Sequence, residues 1–194
     1  MTRHETLLAW VNESGAGHFV IEGRWCIEAL LGNPRFEVEG IVRAAGSHGD
    51  FVAGEVPVHE VPKSELSAAA GYTFHRGLIA VAKRPVDDVV PDGRLLVACP
   101  ELADSANLGA IIRSAAALGA SGILLPKSRG ADVYSRKAIR ASSGAVFRLP
   151  VHQSDDLFQR ISDLRAVGNW LRIETHRPPG QRTACSANEL CCEE

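Results

Sequence analysis

Apolar positions along this chain recur with two different periods, and the switches between them mark the elements. In "RWCIEALLG", Ile27, Leu30 and Leu31 fall at i, i+3 and i+4 and Gly32 stops the run, which predicts a short helix. "HFVIEG" before it reads as an extended entry. "VEGIVRA", "VPVHEV" and "GLIAVAK" are rich in β-branched residues and read as strands. "KSELSAAAG" reads as a helix that Gly71 ends. This alternation, from about Gly17 to Pro85, predicts a small α/β domain, assigned to residues 1–85. "RPVDDVVPDG" then holds two prolines, three aspartates and an Asp-Gly turn, so residues 86–94 read as a linker.

A second block spans residues 95–173. "RLLVACP" has the look of a buried strand. The loop "ELADSA" leads to a helix at "NLGAIIRSAAALGA", Asn107 to Ala120. "GASGILLP" reads as a strand, "DVYSRKAIRASSG" as a helix and "AVFRLPV" as a strand. "SDDLFQRISDLRAVG" reads as a helix capped by Ser154, with Asp155 and Asp156 in its first turn, and "NWLRI" as a fourth strand. This β-α-β-α-β-α-β order predicts a mostly parallel sheet with right-handed crossovers. After Ile173 the pattern fails: residues 174–194 hold one leucine and no valine, isoleucine or aromatic, and read as an irregular tail.

The totals narrow the class. Hydrophobic content of 45% against 23% charged predicts a folded globular chain. No apolar run reaches the roughly 18 residues of a membrane span, and the N-terminal apolar patch, Leu7 to Trp10, is too short for a signal peptide. The expected location is the cytoplasm, with no membrane partner. Cys26 and Cys99 sit singly in apolar segments and read as buried small hydrophobes. Cys185, Cys191 and Cys192 lack C-x-x-C pairing and have only His176 near them, so no metal site is expected.

Net charge is −2, which by itself suggests no polyanion partner. The distribution changes that picture. Six basic residues (Lys127, Arg129, Arg136, Lys137, Arg140 and Arg148) face one acid, Asp132, within 22 residues. That excess fits a phosphate-binding face, and it fits a solvated helix surface equally well.

The helix from Asn107 carries the sharpest chemistry. Leu108, Ile111, Ile112, Ala115 and Leu118 predict an apolar stripe packed on the sheet. Gly109, Arg113, Ala116, Ala117 and Ala120 fall on another face, where everything but Arg113 is small. Asn107 stands where a cap belongs. The expectation is an arginine on a low surface beside a positive helix end, an anion site; the alternative is a plain capped helix with a solvated arginine. G-x-G-x-x-G after the first strand, G-x-x-x-x-G-K-[ST] and G-x-S-x-G are all missing, which argues against dinucleotide, P-loop and serine-hydrolase chemistry. His152, read as lying just past a strand, is a weak candidate base.

"ELADSANLGAIIRSAAALGASGILL", with Asn107, Gly109, Arg113, Ser114, Gly119 and Gly122 in place, resembles the first motif of the SpoU (TrmH) family of RNA 2′-O-ribose methyltransferases in the knotted SPOUT superfamily. "RASSGAVFRLPV", with Ser142, Gly144, Ala145, Leu149 and Pro150, resembles the family's next block. "FVIEGRWCIEALL" and "GYTFHRGLIAVAKRP" resemble the ends of the ribosomal-protein-like substrate-binding domain that many members carry. The resemblance runs from about residue 17 to 168. An unrelated α/β protein matching by chance would not place two domains in the right order.

What the resemblance implies is a methyl donor, S-adenosylmethionine, and a ribosomal or transfer RNA partner whose ribose 2′-oxygen is methylated. Asn107 and Arg113 would be the catalytic pair, with Arg113 beside the phosphate and 2′-oxygen. Always charged at neutral pH, an arginine suits phosphate holding and oxyanion stabilisation better than proton removal. Arg24, Lys127, Arg129, Arg136, Lys137 and Arg140 would contact RNA, with His75 and Arg76 as weaker candidates. The family's two later cofactor motifs, a Gly-x-Glu-x-x-Gly loop and a proline-led Ser-Leu-Asn loop that forms the knot, are not found; "SANEL" shares two residues with the second. The cofactor-binding residues are therefore unassigned. The expectation is a small α/β substrate-binding domain followed by an incomplete SPOUT domain that leaves the family pattern near Gly168, as a truncated or frameshifted chain would. The family's usual homodimer would be weakened, and a catalytically inactive RNA-binding fragment is the alternative.

Overall fold

The computed structural model describes residues 3–12, 17–85, 95–127 and 130–165, together with Val89 and Pro91. Two sheets carry the chain. The first is built from β1 (His18–Glu22), β2 (Val38–Ala44), β3 (Val58–Val61) and β4 (Leu78–Lys83), in the order β1-β4-β2-β3. Strand β4 runs antiparallel to both β1 and β2, and β2 runs parallel to β3. The second sheet is built from β5 (Leu96–Ala98), β6 (Gly122–Pro126) and β7 (Val151–Ser154), all parallel and in that order.

Alternation along the strands sorts the first sheet's two faces. Val20, Val42, Ala44, Ile79 and Val81 point to one side, where α1 (Arg3–Asn12) brings Leu7, Leu8 and Val11 and α3 (Lys63–Ala70) brings Leu66. Phe19, Ile21, Ile41, Leu78, Ala80 and Ala82 point to the other, toward Cys26, Ile27 and Leu30 of α2 (Arg24–Leu31). That second cluster continues without a break into Val97, Leu108, Ile112, Ile123, Tyr134, Ile139 and Phe147. The two sheets therefore share one hydrophobic core.

The shared seam is aromatic. Phe19 lies 5.0 Å from Tyr134 and 6.0 Å from Phe147 between ring centroids, and Phe36 lies 5.2 Å from Phe147. Polar ties reinforce it. Arg84 forms a two-pronged pair with Asp132 at 3.0 and 2.7 Å, and the Asn33 amide donates to the Phe147 carbonyl at 2.8 Å. Arg136 reaches Glu22 at 3.4 Å and donates to the Val11 carbonyl.

Several sequence expectations need correcting. Helix α1 was not anticipated: it has three buried apolar residues among polar ones, and its docking depends on Gly40, where a Cβ would sit 2.7 Å from Leu7 Cδ1. "AVFRLPV" is not one strand. Ala145–Phe147 form a 3₁₀ turn after left-handed Gly144 (φ 79°), and β7 begins only at Val151, past Pro150. The helix in "DVYSRKAIRASSG" is the six-residue α5 (Arg136–Ala141), capped by Ser135. Ser154 ends β7 and donates to the Asp156 carbonyl; the carboxylate of Asp156 caps α6 (Leu157–Arg165) by accepting from the Gln159 amide at 2.9 Å. Pro91, expected in a linker, is buried against the start of β6, where a Cβ on Gly122 would lie 2.3 Å from its ring. "NWLRI", the tail and its three cysteines lie outside the described residues.

Phe147 is almost completely buried at the seam, so Phe147→Ala should cost about 3–5 kcal/mol. The amides of β4 and β6 should lose hydrogen-exchange protection together. Loss confined to β6 would contradict a common core.

Candidate functional site

Helix α4 (Ser105–Ala117) follows β5, and the positions of its side chains decide what the site can do. Its N-cap is Asp104, not Asn107: the Asp104 carboxylate accepts from the amides of Ala106 at 2.8 Å and Asn107 at 2.9 Å. Asn107 is thereby the third helical residue and exposed. Lys137 of α5 closes on the other Asp104 oxygen at 2.7 Å. With the Asn107 and Ala106 amides, this ammonium holds the Asp104 carboxyl below the usual carboxylate range. The positive helix end thus already carries an anion from its own chain, and it is not free for a ligand.

The apolar face is also narrower than expected. Leu108, Ile112 and Ala115 are buried, Ile111 is half-buried, and Leu118 is 75% exposed beyond the helix end. Gly109 is buried as well, because α5 fills the surface that was expected to lie open. A Cβ at Gly109 would come within 2.3 Å of the Ala138 carbonyl oxygen and 2.7 Å of Ala141 Cβ. Its smallness serves close helix packing rather than ligand approach.

Arg113 points away from both contacts. It is exposed and forms no hydrogen bond or ion pair among the described residues. From Asn107 it is six residues along α4, about 9 Å of rise. Asn107 is exposed as well, and no side-chain hydrogen bond holds it among the described residues.

The other candidate cations divide into two groups. Lys127 faces Asp155 at 3.7 Å, Arg136 faces Glu22 and Lys137 faces Asp104. Arg24 is held by Glu28 and by Asp50, each at 2.7 Å. Arg76, Arg140 and Arg148 are exposed without an ion pair among the described residues, and His75 is exposed beside Arg76. Arg129 lies outside the described residues. His152 is inside β7 and half-buried rather than just past a strand. Cys26 and Cys99 are buried as read, and burial pushes the Cys99 thiol up to about 11.

Two features escaped the sequence reading. Trp25, at the second position of α2, is 81% exposed. An apolar groove of about 200 Å³ runs between β5 and α4, lined by Leu95, Val97, Ile111, Ser114 and Leu118 among others. It is smaller than the roughly 300–1,000 Å³ of a small-molecule site, and its polar lining side chain is one hydroxyl. It does not fit S-adenosylmethionine, which needs partners for an adenine, a ribose and an amino-acid end.

Comparison with known proteins agrees with the architecture. The model of the SpoU rRNA Methylase family matches residues 94–190, reaching past Gly168, where the pattern was expected to end. An uncharacterized tRNA/rRNA methyltransferase of Mycobacterium ulcerans (strain Agy99) is 36% identical over 145 residues, 67% of this chain and 44% of that protein. The chain thus spans less than half the length of the curated relatives it matches. An AdoMet-bound rRNA methyltransferase from Sinorhizobium meliloti superimposes with a TM-score of 0.65 at 26% identity, covering 84% of this chain and 66% of that one. A structure described as an RNA 2′-O ribose methyltransferase gives 0.64 at 27% identity over the same shares.

The cap has a pH signature. Asp104→Asn keeps an oxygen for the Ala106 and Asn107 amides and removes the charge. A carboxyl whose folded pKa is depressed stabilises fully above its unfolded value near 4 and loses that contribution as pH falls through the folded value. Wild type should therefore melt above Asp104→Asn at pH 7, with the gap closing as pH falls below the unfolded value and through the depressed folded one. A constant gap across that range would contradict the assignment.

Proposed function

Because the chain belongs to the SpoU rRNA methylase family, we propose that it acts in methyl transfer from S-adenosylmethionine to the ribose 2′-oxygen of a ribosomal or transfer RNA in the cytoplasm. The observation that carries the site assignment is Arg113: an exposed guanidinium, unpaired among the described residues, on the helix after the first strand of a parallel sheet. Open parallel sheets bind ligands at that end of the strand.

S-adenosylmethionine, when bound, supplies an electrophilic methyl group. The groove between β5 and α4 does not fit it, and the residues singled out on α4 belong to the RNA side of the chemistry. A ribose hydroxyl gains negative charge as it attacks carbon. Arg113 holds the neighbouring phosphate through its planar fork and stabilises that charge. It does not remove the proton, since a guanidinium is always charged and has no acceptor site. Asn107, whose side-chain donor and acceptor have no partner among the described residues, orients the ribose. About 9 Å of helix rise separates the two residues, so they touch neighbouring groups of the substrate rather than one atom. Arg76, Arg140 and Arg148 meet backbone phosphates. Arg24, Lys127, Arg136 and Lys137 join them only where RNA displaces the acids that now hold them. The first sheet with its helices is the substrate-binding part, of the ribosomal-protein-like kind. A homodimer belongs to the same proposal, with exposed Leu118 and its groove as apolar surface.

A second reading, RNA binding without transfer, draws support from the misfit between the groove and the cofactor. One assay separates them. Labelled S-adenosylmethionine is incubated with transcribed ribosomal or transfer RNA, and RNA affinity is measured alongside. Transfer by the wild type should fall about 10²–10³-fold in Arg113→Ala, while affinity changes by no more than the few-fold of one phosphate contact. Equal transfer by the variant would remove Arg113 from the site, and binding with no transfer by wild type would favour the second reading.

A further inference from the structure

Tryptophan is among the residues most buried on average, yet Trp25 is 81% exposed. Its neighbours on α2, Cys26, Ile27 and Leu30, bury themselves in the core, so the helix is well anchored and the indole is the part left outside. The ring makes no aromatic contact or hydrogen bond among the described residues.

The backbone beneath it is fixed from both sides. Gly23, immediately before the helix, is left-handed (φ 86°), and its amide donates to the Leu78 carbonyl at 3.0 Å. Gly144 packs against the helix from the second half of the chain: a Cβ there would lie 3.3 Å from Cys26 Cα and 3.6 Å from the Trp25 carbonyl oxygen. The indole is therefore mounted on a held base, not on a loop.

Its surroundings are cationic. The Arg76 guanidinium lies against Gly23, 3.2 Å from where a Cβ would stand. Arg76 and Arg148 are both near enough to the Cys26 thiol to act on it, countering the burial that raises its pKa. Both are exposed and unpaired among the described residues, whereas Arg24 is occupied by Asp50 and Glu28. An exposed indole on a helix whose start Arg76 borders at Gly23 suits a polyanion with flat bases: the bases stack and the phosphates meet the arginines exposed nearby. An apolar protein partner would want apolar neighbours around the indole.

We propose that Trp25 is a stacking platform for an unpaired base of the RNA, with Arg76 and Arg148 on the flanking phosphates. This rests on the RNA reading above and adds to it a preference for single-stranded segments at the junction of the two sheets.

The test uses the full chain, a fluorescein-labelled oligouridylate of about 12 nucleotides, and a paired RNA duplex of the same length. Trp25→Ala should weaken single-strand binding about tenfold or more and leave duplex binding unchanged, while Trp25→Phe stays within about threefold of wild type. The salt slope should be the same in Trp25→Ala and wild type. It should fall by about 0.7 in Arg76→Gln and in Arg148→Gln, one released counterion each. Melting temperatures of all variants should match wild type, since the ring is outside the core. Wild-type affinity in Trp25→Ala would overturn the platform alone, and so would equal weakening by Phe and Ala. A wild type that binds neither RNA would overturn the RNA reading as well.

Discussion

Helix α4 can lie where it does because residue 109 has no side chain. The Ala138 carbonyl of α5 occupies the place a Cβ would take. That approach turns Leu108, Ile112 and Ala115 into the core and leaves Arg113 facing out. Asp104 and Lys137 tie the same two helices at their entrance. Position and orientation of the candidate catalytic arginine thus follow from a contact one turn away that involves no functional group at all.

The same packing joins the two halves. Helix α5 and the 3₁₀ turn after it insert Ile139 and Phe147 among Phe19, Phe36 and the residues of α2. Gly144 permits the turn to meet α2, as Gly109 permits α5 to meet α4. Gly109 and Gly144 of the family motifs are, in this chain, packing devices. Cations at the seam are matched by acids from distant segments, while Arg76, Arg113, Arg140 and Arg148 remain exposed and unmatched among the described residues.

Strands β1, β2 and β4 and helix α2 were legible because each carries its own period and its own stop signal. Arg113 and Asn107 stand out in the sequence as a charged fork and an amide on a helix of small residues, and the structure leaves both exposed. What was not legible depends on partners far away in sequence. Asp155, Glu22 and Asp104 neutralise cations that a local count leaves unpaired. The role of Gly109 is set by α5, nearly thirty positions on, and α1 shows itself only once Gly40 offers it a seat. The cap is Asp104 rather than Asn107 because the helix begins earlier than expected, at Ser105, where the Asp104 carboxylate accepts from the Ala106 and Asn107 amides. Trp25 went unnoticed because an aromatic beside apolar residues reads as core until the helix is seen to turn it outward.

The central claim is that this chain presents RNA to a methyl donor at the ribose, through α4. The most direct measurement digests RNA to nucleosides after incubation with labelled S-adenosylmethionine and identifies the labelled species. The account predicts a 2′-O-methylnucleoside, whose linkage to the next nucleotide resists alkali. Label on a base, with riboses unmodified, would contradict it.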